Sequence, residues 1–283
     1  MDSMKFNIKK QTLIQVLPLV LIFFFLYYKA IAKLISDWSI DPNFSHGFLI
    51  PFVALYMVWY KKNEISQIPH ESSKTGIIII ILGMLIHIAG NVGSELFLMR
   101  FSMIITLSGI IMYYYGVKMF RELMVPVAYL IMMIPIPSII WNKIAFPLQL
   151  FSANLSSHTI SLLNIPVFRE GNILHLANTS LEVIDACSGI RSLTSLLALT
   201  GVFAFLAPLG LFKKWILFFS AIPIAVAVNV IRLTITGAMA AWISPETAHG
   251  FLHDMSGLII FGAALILVYI VFAIEMKIEK TKR

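Results

Sequence analysis

The sequence contains very little charge. Only 12% of its 283 residues are Asp, Glu, Lys or Arg, whereas a soluble domain of this length carries about 25%. The polar side chains are therefore too few to cover a globular protein. Because 59% of the residues are hydrophobic, lipid has to cover most of the surface. The composition predicts a multi-pass integral membrane protein.

Cysteine is almost absent. The single Cys187 excludes an intrachain disulfide, and a lone thiol in such a protein is a candidate reactive group. One Cys and scattered His residues do not show the spacing of a zinc site, so we expect no metal and no cofactor. A glycine-rich phosphate loop is also lacking, which argues against an ATPase or a nucleotide-sugar transferase.

Positive charge exceeds negative charge, with a formal net charge of +7. Such an excess could indicate nucleic-acid binding. Here, however, the basic residues form short clusters between apolar runs, which is typical of membrane topology. We therefore expect the lipid bilayer, and no nucleic acid, as the partner of this charge.

The long apolar runs predict an all-α polytopic membrane protein. A hydrocarbon core about 30 Å thick needs about 20 apolar residues in a helix. On this measure the sequence predicts eight membrane spans in a single domain, residues 1–283. The first span does not have the cleavage site of a signal peptide. The spans lie near residues 12–32, 46–60, 75–93, 95–116, 123–141, 187–208, 215–241 and 255–275.

The distribution of basic residues predicts the orientation. With the N-terminus in the cytoplasm, the inner loops and tails carry two thirds of the 21 Lys and Arg residues. This bias favours both termini inside. The long segment 142–186 is then extracytoplasmic. We expect an amphipathic interfacial helix through Leu163 and a small β-ribbon between residues 167 and 185. Three prolines predict that the fifth span is kinked or ends early: Pro126, Pro135 and Pro137.

Cys187 lies where the sixth span enters the membrane from outside. Unpaired backbone N–H groups and the helix dipole stabilise a thiolate at such a helix N-terminus. Arg191 lies one turn further on, on the same face, and adds positive charge. A lone cysteine can also be a small apolar filler. The polar neighbours Asp185 and Ser188 favour a reactive thiol.

Arg232 is a second candidate, because ionisable groups inside membrane spans are costly and commonly functional. It lies roughly 14 Å below the outer end of the seventh span, which is too deep for easy snorkelling. It therefore needs a partner or a polar cavity, and Asn229 lies on the same helical face. The alternative is an arginine that only pins two helices together through carbonyl groups.

Two histidines begin spans at the outer side. His253 opens the eighth span, and His46 starts the second; each is either part of an outer cavity or a polar residue at a helix end. Arg100 lies in the outer half of the fourth span. We expect it to pair with Glu95 or to snorkel, and place it outside the site.

Cys187, Arg232 and His253 together form a coherent chemical group. Histidine can accept the thiol proton and return it to a leaving amine, and arginine can stabilise an oxyanion. These residues predict a cysteine protease or transpeptidase. Two alternatives remain. A transporter or lipid-linked sugar flippase would use Arg191 and Arg232 as anion sites, and an assembly factor for an export system would have no catalytic function.

Four ordered motifs resemble the exosortase/archaeosortase family. They are Phe44-Ser45-His46-Gly47-Phe48-Leu49-Ile50-Pro51, then Ala186-Cys187-Ser188-Gly189-Ile190-Arg191-Ser192-Leu193, then Asn229-Val230-Ile231-Arg232, and finally His253 with Gly257 and Phe261. The resemblance extends from near residue 40 to near residue 275, almost the whole chain.

This resemblance implies a polytopic transpeptidase-like enzyme of the bacterial exosortase branch, with Cys187, Arg232 and His253 as its triad. The implied partners are secreted proteins with a C-terminal sorting signal, which consists of a Pro-Glu-Pro motif, a membrane helix and a basic tail. The implied location is the bacterial cytoplasmic membrane, with the active site facing outward. Arg191, Asn229, Ser188, Asp185 and His46 are supporting residues, and the acceptor nucleophile is left open.

Overall fold

The computed structural model describes residues 10–69, 71–183, 190–244 and 251–281, and this part of the chain is mostly helical. Two 3₁₀ helices, Pro42–Phe48 (hereafter the 42–48 turn) and Leu130–Met133, accompany the α-helices. The α-helices are α1 (Lys10–Ile40), α2 (Ile50–Tyr60), α3 (Lys62–Ile65), α4 (Thr75–Val92), α5 (Leu96–Tyr129), α6 (Ser138–Leu162), α7 (Ile190–Leu206), α8 (Leu211–Phe219), α9 (Ala221–Trp242) and α10 (Phe251–Thr281).

Five helical segments in the described residues are long and apolar enough to cross a membrane. They are Leu17–Ile40, Thr75–Val92, Leu96–Met133, Leu211–Trp242 and Ile259–Lys280. These segments support a protein that crosses the bilayer several times. The predicted number of eight spans is not confirmed, since two of the eight correspond to helices that are short on their own. The 11 residues of α2 rise only about 17 Å, and the apolar part of α7 runs from Arg191 to Leu206.

The predicted span 95–116 and the first part of the predicted span 123–141 fall within one helical region, Leu96–Met133. Its backbone departs from helix geometry at Gly116 (φ 84°, ψ 173°), where the first of these two spans was expected to end. A β-carbon at Gly116 would lie 2.0 Å from the carbonyl oxygen of Glu71, so only glycine fits. The second span ends at Met133, before Pro135 and Pro137, and not at residue 141. The early end predicted from the prolines is confirmed.

Two compact units make up the chain. The first consists of Met1–Ile40 and His70–Phe120, and the second of Asp41–Pro69 and Arg121–Arg283. In the first unit, α4 packs closely on α5 through three buried glycines at seven-residue spacing, since a β-carbon on any of them would clash with α5. Small residues allow helix backbones to approach in this way in membranes. The glycines are Gly76, Gly83 and Gly90.

The first unit also contains a buried ion pair that involves Arg100. Arg100 is only 2% exposed, and its Nη2 lies 2.5 Å from Oδ2 of Asp37 on α1. Lys33 lies 3.1 Å from the other oxygen of the same carboxylate. The prediction that Arg100 pairs with Glu95 or snorkels is therefore wrong. The partner is 63 residues earlier in the chain, so helix spacing could not identify it.

In the second unit, α9 packs against α6, α7, α8 and α10. Its buried residues recur every three or four positions, which gives one apolar face along the helix. Lys213 Nζ lies 2.8 Å from a carboxylate oxygen of Glu279, so the start of α8 lies beside the end of α10. The residues of the shared core are Leu196, Ala204, Ala207, Leu209, Leu217, Ala221, Ile224, Ala225, Val228, Ala264 and Val268.

Helix α6 runs parallel to α9. Near the C-terminal ends of both helices, the hydroxyl oxygens of Thr159 and Thr234 are 2.5 Å apart, and Ile160 packs on Gly237. Further back, residues 148–155 of α6 lie beside residues 222–227 of α9. The helix therefore runs along a candidate membrane span and not across its end. This differs from the interfacial position expected for residues 142–163.

A three-stranded antiparallel sheet follows α6, in the order β1 (Val167–Glu170), β2 (Ile173–Leu176) and β3 (Ser180–Glu182). The β-ribbon predicted for this region is thus present. Its buried residues join a core that also contains residues from the C-terminal halves of α6 and α9. The sheet is therefore positioned at the C-terminal end of α9. Its core residues are Leu174, Leu176, Leu181 and Val183.

Candidate functional site

The structure describes only some of the predicted site residues. Asp185, Cys187 and Ser188 lie outside the described residues. His253 belongs to α10, but its side chain is also outside the description. The positions that the structure reports are those of Arg232, Asn229, Arg191 and His46. All four belong to the second unit.

Arg232 and Asn229 lie on the buried face of α9. Arg232 is 9% exposed and Asn229 is 2% exposed, whereas Ile231 and Ile235, on the other face, are each 51% exposed. Both polar side chains also take part in interactions within the protein. Arg232 therefore points into the helix bundle and not toward lipid. This agrees with the expectation that an arginine at this depth needs a partner or a polar cavity.

Arg191 lies in the first turn of α7 and contacts the 42–48 turn. Its Nε donates a hydrogen bond to Oδ1 of Asn43 at 3.1 Å. The hydroxyl of Thr194, one turn later, donates to the backbone carbonyl oxygen of Asn43 at 3.4 Å. The early motif around residues 44–51 and the motif that contains Cys187 were recognised separately in the sequence. The structure brings Asn43, the residue just before the first motif, against Arg191 near the end of the second.

Local sequence explains why the 42–48 turn has a fixed shape. Asp41 caps the 3₁₀ helix, because its carboxylate accepts a hydrogen bond from the backbone N–H of Asn43 at 2.9 Å. Pro42 occupies the first helical position, where its fixed φ fits and no N–H is needed. Phe44 is buried, and its ring centre lies 5.6 Å from that of Trp141 on α6.

His46 lies in the same turn, outside the candidate membrane spans. Among the described residues its Nδ1 is buried without a hydrogen-bond partner. Burial lowers the pKa of His46 below its ordinary value, and a backbone hydrogen bond with Met132 acts in the opposite direction. Burial therefore favours the neutral form of the ring. A neutral imidazole with a free ring nitrogen can accept or relay a proton.

The sheet holds the chain just before the segment that contains Cys187. Val183 is completely buried, and its N–H donates to the carbonyl oxygen of Asn172 at 2.9 Å. The side-chain amide of Asn172 donates to the carbonyl oxygen of Val183 at 3.2 Å. The chain is thus fixed at Val183 on one side of residues 184–189 and at Arg191 on the other.

The order of the helices places three chain segments toward one end of the second unit. The end of α10 lies beside the start of α8, so Phe251 at the start of α10 and Trp242 at the end of α9 belong to the opposite end. Lys214 near the start of α8 donates a hydrogen bond to the carbonyl oxygen of Phe205 near the end of α7 at 3.0 Å. The start of α7, which contacts the 42–48 turn, therefore also belongs to the opposite end. The approach of Cys187, Arg232 and His253 to one another remains a prediction.

The sequence interpretation missed Asn43 and Asn172. Asn43 follows an Asp-Pro pair, which marks a capped helix start, and this signal was available. Asn172 follows Gly171, whose φ of 60° forms the turn between β1 and β2. Their hydrogen-bond partners are 148 and 11 residues away, respectively, so the contacts themselves could not be read from local pattern. In the described residues no group of His, Cys, Asp and Glu is suited to hold a metal ion.

Comparison with known families gives one clear result. The model of the family described as "Transmembrane exosortase (Exosortase_EpsH)" matches residues 38–270. The match covers most of the chain and includes the 42–48 turn, the sheet and helices α7 to α9 in full. Neither a curated protein nor a solved structure is significantly similar to the chain.

Proposed function

Because the chain belongs to the transmembrane exosortase family, we propose that it is a membrane-embedded cysteine protease or transpeptidase. Its substrates are secreted proteins with a C-terminal sorting signal, which it cleaves at the outer face of the bacterial cytoplasmic membrane. The observation that carries this proposal is the burial of Arg232 inside the helix bundle. An arginine at 9% exposure in an apolar helix is costly, and ionisable groups at such positions commonly belong to a functional site.

In the proposed reaction, His253 accepts the proton of the Cys187 thiol. The thiolate attacks the carbonyl carbon of the scissile peptide bond, and the oxyanion that forms is stabilised by the Arg232 guanidinium. The tetrahedral intermediate collapses, the C–N bond breaks, and the leaving amine takes the proton from His253. The products are a thioester on Cys187 and the released C-terminal helix.

The thioester is then resolved by a second nucleophile. Attack by water gives hydrolysis, and attack by an amine gives transpeptidation; in both cases the thiolate leaves and Cys187 is regenerated. Asn229 lies three residues before Arg232 on the same buried face and is suited to orient it. His46, whose buried Nδ1 has no hydrogen-bond partner among the described residues, is suited to a supporting role in proton transfer.

The proposed substrate is a membrane-anchored protein whose helix enters the bilayer beside the enzyme. With both termini of the enzyme in the cytoplasm, the basic tail of the substrate lies inside and its Pro-Glu-Pro motif lies outside. The helix is then recognised within the bilayer, and the motif is recognised by the part of the segment 142–186 that follows α6, which includes the three-stranded sheet. This arrangement presents the outer flank of the substrate helix to Cys187.

The proposal is tested by expression of Cys187→Ala, Cys187→Ser, Arg232→Ala and His253→Ala in the native host. Blots for proteins with C-terminal membrane helices should show accumulation of uncleaved forms in all four strains. Arg121→Ala is the matched control, because this arginine is exposed and outside the predicted site. It should process normally.

A transporter or flippase predicts a different result. It would tolerate Cys187→Ser with little loss, since serine has nearly the same size as cysteine. A cysteine nucleophile does not tolerate this change, because an alkoxide is much harder to form than a thiolate. Normal substrate processing by the Cys187 variants, at normal expression levels, would exclude the proposed cysteine protease activity.

A further inference from the structure

Asn43 is fixed through three of its atoms. Its side-chain Oδ1 accepts from Nε of Arg191 at 3.1 Å, and its backbone carbonyl oxygen accepts from Thr194 at 3.4 Å. Its backbone N–H donates to Asp41 at 2.9 Å. The capped turn therefore fixes the backbone of Asn43, and its side-chain amide oxygen accepts the hydrogen bond from Arg191.

We infer that Asn43 is a positioning residue that holds the Arg191 guanidinium at the start of α7 without neutralising its positive charge. The inference rests on the proposed function, since it concerns the surroundings of the proposed nucleophile. An amide oxygen accepts the hydrogen bond but carries no net charge. A carboxylate at the same position would form an ion pair with the guanidinium.

The charge of Arg191 is not compensated elsewhere in the described part of the chain, where no carboxylate forms an ion pair with it. The nearest acid in the turn, Asp41, is engaged with the backbone N–H of Asn43. An asparagine at this position therefore has a specific consequence. The asparagine side chain fixes the position of the Arg191 guanidinium and does not neutralise its positive charge.

That charge matters because Arg191 follows Cys187 by only four residues in the sequence. A neighbouring guanidinium favours the thiolate over the thiol. Asp41, His46 and Arg232 are described titratable groups on or next to elements that pack against α7, whereas Asp185 and the side chain of His253 lie outside the described residues. Lys213 and Lys214 lie on α8, which follows the opposite end of α7.

The test uses the full-length protein in detergent or vesicles and the rate of alkylation by iodoacetamide as a function of pH. Because the chain has one cysteine, the rate reports on Cys187 alone. Asn43→Asp keeps an acceptor oxygen but adds a negative charge. It should raise the midpoint of the pH profile and slow alkylation at neutral pH by about three- to tenfold, since one pKa unit is a tenfold change. Asn63→Asp, at an exposed position of α3, makes the same substitution away from the start of α7 and should leave the profile unchanged.

A double-mutant cycle separates an effect through Arg191 from a general structural effect. Asn43→Ala should shift the profile in the wild-type background, and should have no further effect once Arg191→Gln is present. Arg191→Gln alone should raise the midpoint. The thermal unfolding midpoint of each variant shows that it is folded. A profile unchanged by Asn43→Asp, or equal effects of Asn43→Ala in both backgrounds, would overturn the inference.

This test is independent of the proposed function. Alkylation reports the state of the thiol whether or not the protein cleaves a substrate. Normal substrate processing by Cys187→Ala would exclude the proposed function. If Cys187 is needed for processing but Asn43→Asp leaves the pH profile of alkylation unchanged, only the inferred role of Asn43 is excluded.

Discussion

Asn172 holds Val183 by two hydrogen bonds. Its side-chain amide donates to the backbone carbonyl oxygen of Val183 at 3.2 Å, and the backbone carbonyl oxygen of Asn172 accepts from the N–H of Val183 at 2.9 Å. Val183 is fully buried and is the last described residue before the segment 184–189. The turn between β1 and β2 thus determines where the chain leaves the sheet toward Cys187.

Replacement of Asn172 should affect processing more than stability. Asn172→Ala keeps the backbone hydrogen bond and loses the side-chain one, so the free energy of unfolding should fall by only about 1 kcal/mol. Substrate processing should fall by about tenfold, because the segment that carries Cys187 is less well fixed. Asn178→Ala, at an exposed position after β2, is the control and should match the wild type. Equal processing by both variants would show that the Asn172 side chain does not position the segment.

The Arg100–Asp37 pair should be important for stability. Asp37→Ala leaves the guanidinium of Arg100, which is 2% exposed, without its carboxylate, and should cost about 3–5 kcal/mol. Unfolding in detergent measures this loss. The double variant Asp37→Leu with Arg100→Met removes the buried charge and leaves unpaired only Lys33, whose side chain is half exposed, so it should recover most of the loss. A single variant as stable as the wild type would mean that the pair does not form.

The parallel arrangement of α6 and α9 can be tested by cross-linking. The hydroxyl oxygens of Thr159 and Thr234 are 2.5 Å apart, so Thr159→Cys with Thr234→Cys should form a disulfide on mild oxidation in the Cys187→Ala background. Thr159→Cys with Ile222→Cys is the control. Ile222 lies 12 residues before Thr234, about 18 Å along α9, and this pair should not cross-link. If α6 instead lay on the membrane surface, the pair Thr159→Cys with Thr234→Cys would form a disulfide no faster than the control pair.

Much of the helical arrangement could be predicted because hydropathy depends on local sequence. The span 75–93 agrees with α4 (Thr75–Val92) to within one residue, and the break at Gly116 occurs where a span was expected to end. The β-ribbon was predicted from glycine and asparagine turns between alternating residues. In each case the signal lies within a few residues of the feature that it predicts.

The features that could not be predicted depend on contacts between distant segments. The position of α6 depends on its packing against α9, about 75 residues later, and its own composition resembles that of an interfacial helix. Arg100 pairs with Asp37, 63 residues earlier in the chain, and Arg191 bonds to Asn43, 148 residues earlier. For the site, burial of Arg232 agrees with the sequence argument, whereas the meeting of Cys187, Arg232 and His253 remains a prediction.

The most direct measurement is mass spectrometry of Cys187 after co-expression with a candidate substrate. The protein should be purified from cells that express a secreted protein ending in a Pro-Glu-Pro motif, a membrane helix and a basic tail. We predict that the peptide containing Cys187 carries the N-terminal part of that substrate as a thioester that hydroxylamine removes, and that the adduct is lost in Arg232→Ala. Cleavage of the substrate by wild-type and Cys187→Ala proteins alike, without any adduct on Cys187, would contradict the account.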